Sequence, residues 1–189
     1  LQTLAGHDAT RVSRFDRQSP GIGLIDRPQA SYNAGMAFVH LRSHTEFSVV
    51  DGTVRIDDLV KAAAKDGQPA VAVTDLSNLF GAVKLYSAAR KKGVQPIIGA
   101  DVWIEPEESG KTPTRLLLLI QNRQGYLRLC ELLGEAWTAP GQRSHAWVHW
   151  ASLAANNAGL ICLSGADLGS IGQALINGDA AKAEAQATR

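Results

Sequence analysis

The residues of this chain best suited to chemistry follow or interrupt short apolar runs. Phe38-Val39 leads into His40-Leu41-Arg42-Ser43-His44, with Asp51 seven residues on. Ala70–Val73 leads into Thr74-Asp75-Leu76, Asp101 lies in the run from Pro96 to Ile104, and Arg115 opens the run Leu116–Ile120. Histidine and aspartate carry lone pairs, whereas arginine carries only donors and stays charged. If the apolar runs are strands that share one mouth, these side chains converge on it. Elsewhere the signals are weaker. His145 and His149 lie four apart around Trp147 and Trp150, which is metal-ligand spacing on a helix. No third ligand lies nearby in sequence, so surface or packing roles are expected. The Trp147/Trp150 pair is expected in a core or interface rather than as a stacking platform for bases. Arg90-Lys91-Lys92 closes a helix and is expected to offset its C-terminal dipole rather than hold a phosphate. No GxGxxG or Walker pattern occurs.

The elements that must position these residues are legible from periodicity. Ile56, Leu59, Val60 and Ala63 recur at helical spacing, predicting a helix over 56–66 ended by Gly67. Ala70–Val73 reads as a buried strand. Helices are predicted over 79–92 and 125–137, and shorter ones over 147–155, 171–176 and 180–187. Strands are predicted at 38–41, 96–104, 116–120 and 160–163, with a polar turn over 105–114. The strands are continuous apolar runs alternating with helices, which predicts a parallel sheet covered by helices. Such folds carry their chemistry at the carboxyl ends of the strands.

Composition narrows the class. The chain has 189 residues, 45% of them hydrophobic and 20% charged, with a net charge of +1. That is globular, with no overall charge excess to attract nucleic acid. Cys130 and Cys162 sit in apolar stretches without a CxxC, predicting buried thiols in a cytoplasmic protein. The longest purely apolar run, Leu116–Ile120, is far short of a membrane span. Residues 1–35 hold no persistent period and read as a flexible leader or foreign sequence. The chain opens on Leu1 and stops in a helical stretch, which reads as a fragment.

Four collinear blocks carry a specific resemblance. FVHLRSHTEFSVVDG, AVAVTDLSNLFGAVKLYSAARKKGVQPIIGADVWI, RLLLLIQNRQGYLRLCELL and GLICLSGADLGSIGQAL together resemble the polymerase-and-histidinol-phosphatase (PHP) domain of bacterial DNA polymerase III alpha subunits. The match spans about residues 37–180. It implies an α/β fold, a distorted (β/α)7 TIM-like barrel. Residues 36–189 would be its N-terminal part, incomplete because C-terminal strands are missing.

In relatives that keep phosphoesterase activity, histidines and carboxylates at the strand ends hold divalent metals, which activate water and stabilise the leaving oxygen at phosphorus. This sequence departs from that set. Arg42 and His44 stand where the family has a His-x-His pair, Asp75-Leu76 replaces an Asp-His pair, Asp101 matches a glutamate and Arg115 a histidine. His44, Asp51 and Asp101 remain as vestigial ligands, with His40 and Asp75 nearby. Arg42, Leu76 and Arg115 cannot ligate a metal. The resemblance therefore implies a degraded, structural site. Because unpaired buried carboxylates are costly, Arg42 and Arg115 are expected to replace metal charge by pairing with Asp51 or Asp101; the alternative is that both arginines are solvated and the aspartates are ordinary caps or turn residues.

No cofactor is expected there. The parent would perform DNA-templated DNA synthesis with Mg2+ at a polymerase site outside this chain. It would act among the other polymerase III subunits, especially the proofreading exonuclease, contact DNA and stay off membranes. The alternatives are a residual zinc- or manganese-dependent phosphoesterase or 3′–5′ exonuclease, or a free-standing histidinol-phosphatase-like enzyme.

Overall fold

The computed structural model describes residues 38–106, 112–140 and 145–188. The leader over 1–35 lies outside the described residues, as do parts of the loops after Pro106 and Pro140.

A 3-10 turn, Glu46–Ser48, precedes α1 (Ile56–Lys65), which buries Ile56, Val60 and Ala63. Asp57 and Asp58 lie in its first turn and Lys65 in its last, matching the helix dipole. β1 (Ala70–Val73) follows, then α2 (Ala82–Lys92), ended by Gly93 in the left-handed conformation at φ 70°. The predicted start of α2 at residue 79 moves to 82. Asn78 instead folds the chain into a turn, its Nδ2 donating to the Phe47 and Leu76 carbonyls and its Oδ1 accepting from the Phe80 amide.

β2 (Gln95–Ile104) and β3 (Thr114–Ile120) come next, then α3 (Arg123–Thr138), whose N-cap Asn122 accepts from the Gly125 amide. β4 (Trp147–Val148) and α4 (Trp150–Ala155) replace the single helix predicted over 147–155. β4 pairs with the end of β2, Trp103 opposite Trp147, and the Glu105 carboxylate accepts from the Trp150 amide to start α4. β5 (Leu160–Leu163), α5 (Ser170–Ile176) and α6 (Ala180–Ala187) complete the described chain.

The described strands form one five-stranded sheet of order β1-β2-β3-β5, with β4 paired to β2. It is mixed, which corrects the expectation of a parallel sheet. β1/β2 and β2/β4 are parallel, whereas β2/β3 and β3/β5 are antiparallel. The reason is the short connection from Ile104 to Thr114, which suits a hairpin and leaves no room for a crossover helix. The segment before the site lies along β1 through a bridge of His40 to Val71 rather than as a full strand. The fold is thus α/β, and the described sheet follows an open path.

Two cores pack helices on the face of the sheet opposite Asp101. One packs α3 on Ala100, Val102, Leu116 and Leu118; the other packs α1 and α2 on Val71 and Val73. No helix among the described residues is long and apolar enough to cross a membrane. β5 corrects another expectation. Only Leu160 of it is half-buried; Ile161, Cys162 and Leu163 are exposed, and β5 has β3 on one side and no described strand on the other. Cys130, on the outer face of α3, is exposed too, so neither thiol is buried.

The start of α3 lies tightly against the turn before β5. A Cβ on Gly125 would collide with the Gly159 carbonyl oxygen. Gly125→Ala is expected to cost about 2 kcal/mol through overpacking, measurable as a lowered midpoint in urea with an unchanged slope.

Candidate functional site

β2 alternates across the sheet. Ala100, Val102 and Ile104 face the α3 core, which turns Asp101 and Trp103 to the opposite face. Arg115 pairs with Trp103 in the β2/β3 register and joins them. From the other side, the segment after His40 delivers Arg42 and His44, and the loop after the 3-10 turn delivers Asp51.

Three of these side chains, Arg42, His44 and Arg115, meet on one oxygen of Asp101. Asp101, 1% exposed, accepts on Oδ2 from Arg42 Nε at 2.9 Å and Nη2 at 2.6 Å, and from Arg115 Nη1 at 3.2 Å. His44 Nε2 stands 3.1 Å from the same oxygen, and its Nδ1 lies 2.9 Å from Asp51 Oδ1. Arg115 also donates to Asp51 Oδ2 from Nη1 at 3.4 Å and Nη2 at 3.3 Å. The Arg115 guanidinium lies 4.3 Å over the Trp103 ring, whose other neighbour, His145, is centred 4.4 Å away. Sequence reading passed over Trp103; its position two residues from Asp101, on the same face, was the available signal.

The electrostatics follow from this geometry. The hydrogen bond to Asp101 raises the His44 pKa above its ordinary 6.5, against the opposing effect of burial, and the bond to Asp51 adds to it. Burial alone would push the Asp101 carboxyl up, but the hydrogen bonds from His44 and Arg42 outweigh it and hold the group below 3.8. A histidine between two carboxylates donates from both nitrogens only as the imidazolium.

The His44 contribution to stability is therefore complete below its unfolded pKa of 6.5 and lost as pH rises through the higher folded value. The Asp101 contribution is complete above 3.8 and lost as pH falls through its lower folded value. Melting temperature is expected to decline from about pH 6 to 8 in the parent chain. His44→Gln should flatten that decline.

Asp75 belongs to a different arrangement. It is 1% exposed and accepts from the Thr45 amide at 2.6 Å, Thr45 Oγ1 at 2.8 Å and Ser48 Oγ at 2.9 Å. Ser48 Oγ in turn accepts from the Leu76 amide at 3.0 Å. Asp75 thus ties the loop that carries His44 and Asp51 to the end of β1. Sequence reading missed Thr45 and Ser48, whose three-residue spacing across a 3-10 turn is what lets one carboxylate hold both.

Leu76 brings backbone rather than chemistry, bridging to Asp101 beside the Ser77 amide that donates to the Asp101 carbonyl at 2.8 Å. His40 is exposed, its carbonyl accepting from Ala72 and its ring edge-on to Phe38 at 4.7 Å. It does not join the Asp101 cluster among the described residues. His145 and His149 do not share a helix face: His145 precedes β4, while His149 caps α4 with Nδ1 2.5 Å from Glu105 Oε2. Among the described residues, no group of three or more His, Cys, Asp or Glu is placed to hold a metal ion.

Comparison with known proteins places the chain in a family. Residues 40–189 match the family described as the PHP domain. The chain is 49% identical over 153 residues to the DNA polymerase III subunit alpha of Pseudomonas aeruginosa, covering 79% of this chain and 13% of that protein. It is 46% identical over 156 residues to the subunit of Neisseria meningitidis, covering 78% of this chain and 13% of that one. The Escherichia coli K12 subunit is 39% identical over 144 residues, covering 76% of this chain and 12% of that one. The chain thus spans about an eighth of these curated relatives. Among solved structures, an amidohydrolase from Chromobacterium violaceum is 19% identical with a TM-score of 0.42, covering 52% of this chain and 32% of that one. Through residues 40–189 the chain belongs to the PHP domain family, with its similarity falling on the N-terminal region of DNA polymerase III alpha subunits.

Proposed function

We propose that this chain is the N-terminal PHP part of a replicative DNA polymerase III alpha subunit, and that an ion-pair network has taken the place of its metal centre. One observation carries the second half: two guanidiniums donate to Asp101 Oδ2, from Arg42 at 2.6 Å and Arg115 at 3.2 Å. A divalent cation on that oxygen would sit against both fixed positive charges, and neither arginine has a lone pair to offer it. The residues do not fit a metal, so no hydrolytic step is assigned to them. Their role is to neutralise two carboxylates and to lock β2, β3 and the loop after the 3-10 turn together.

In this reading the parent performs DNA-templated synthesis at a Mg2+ site outside this chain, works in the cytoplasm, and uses the PHP part as a scaffold that docks the proofreading exonuclease. The family's distorted (β/α)7 barrel belongs to the same reading. The open side of β5, with Ile161 44% and Leu163 37% exposed, suits a further strand or cover.

Metal analysis of the purified chain tests the site. Far less than one zinc or manganese per chain is expected, with no phosphate released from a phosphomonoester. Near-stoichiometric metal together with hydrolysis would overturn the reading in favour of a phosphoesterase. Co-elution with the proofreading subunit on gel filtration tests the scaffold role.

A further inference from the structure

Helices α1 and α2 end at one edge of the sheet. Ala70 pairs with Gln95, and the Gln95 amide donates to the Pro69 carbonyl at 2.9 Å, so the turns that leave the two helices lie side by side. This is the edge where parallel strands β1 and β2 begin. Asp75 lies past the opposite end of β1.

Lys61 and Lys65 on α1, and Arg90, Lys91 and Lys92 on α2, are all exposed there. α2 also carries Lys84 and contains no carboxylate, so no partner on the same helix can neutralise it. Lys84 reaches Glu46 at 2.8 Å and Lys61 reaches Asp58 at 3.3 Å. Lys65, Arg90, Lys91 and Lys92 make no ion pair among the described residues. A helix C-terminus carries about half a negative charge, which one cation answers; three in succession exceed that need.

Arg90 is also held in place. Its Nη1 donates to the Tyr86 hydroxyl at 3.2 Å, and its guanidinium lies 5.4 Å over the Tyr86 ring. On α2 the exposed large apolar residues are Val83, in the first turn and away from this edge, and Tyr86; none lies within 61–69 or 87–96. A protein partner needs an apolar centre to its interface, whereas a phosphodiester chain needs cations and an oriented guanidinium. We propose that this edge binds the phosphate backbone of a nucleic acid, without base preference. The edge stands apart from the Asp101 cluster, so either assignment can fail alone.

The test is fluorescence anisotropy of a labelled DNA duplex of about 20 base pairs, titrated with the full chain from about 50 to 200 mM NaCl. Neutralising about four phosphates predicts a roughly 100-fold loss of affinity across that range. Arg90→Gln/Lys91→Gln/Lys92→Gln is expected to weaken low-salt binding at least ~10-fold and to make the log–log salt slope shallower by about three. Lys91→Gln/Lys92→Gln, which keeps the Arg90–Tyr86 contact, should lose about two of that slope and decides the matter if the triple variant misfolds. Arg123→Gln on α3 should bind like the parent. Binding by the lysine variant within about twofold of the parent, slope included, would overturn the proposal. So would polyglutamate that competes as well as DNA at equal charge, since it would assign the edge to an acidic protein.

Discussion

Asp101→Ala is expected to destabilise the fold by about 3 kcal/mol, a fall of roughly 6–12 °C in melting temperature. The carboxylate is buried and takes donors from three side chains on Oδ2. Without it the Arg115 guanidinium, 8% exposed, keeps only Asp51 as a counter-ion. An incompletely paired buried charge is the costly outcome. Arg42 adds little to this figure, because at 38% exposure water screens its charge. Thermal and urea denaturation followed by circular dichroism check the prediction. A loss below about 1 kcal/mol would mean that water, not Asp101, neutralises the arginines.

Asp75→Ala is expected to cost more, about 4 kcal/mol, by a different route. Asp75 accepts three hydrogen bonds, two of them from the single residue Thr45. Its loss strands the Thr45 amide and two hydroxyls in a buried place, and leaves the 3-10 turn tied to β1 only by weaker contacts. Asp75→Asn keeps an acceptor oxygen and should recover part of the loss. Hydrogen exchange supplies a second readout: the amides of residues 44–52 should lose protection before those of α3. Uniform loss of protection across both would contradict the anchoring role.

Much of this arrangement was legible from residue type. Arg42 and Arg115, close in the pattern to Asp51 and Asp101, already pointed to ion pairs, since a guanidinium stays charged and offers donors that match a carboxylate. The helices were legible because Ile56, Val60 and Ala63 recur on one face and glycines mark ends, although the N-cap Asn122, which starts α3 two residues before the predicted 125, went unread. Strand direction was not. Leu116–Ile120 and Leu160–Leu163 are apolar runs that read alike whether parallel or antiparallel; the short link from Ile104 to Thr114 accounts for the direction of the first, and no feature of the second run shows that it lies antiparallel to β3. The exposure of Cys162 was hidden for a related reason, because a strand sequence does not say which neighbours cover it. Trp147-Val148 escaped as a strand since two residues are too few to show a period. Asp75 was placed near the site by its position after β1, but its hold on Thr45 and Ser48 depends on a turn that pattern alone does not reveal.

The central claim is that arginine charge now balances Asp101. A double-mutant cycle of Asp101→Asn and Arg115→Met, measured by urea denaturation with both single variants, tests it directly. A coupling of about 2 kcal/mol or more is expected, since the pair is buried and hydrogen-bonded. Additive losses, with coupling under about 0.5 kcal/mol, would contradict the account and leave the two residues as independent neighbours.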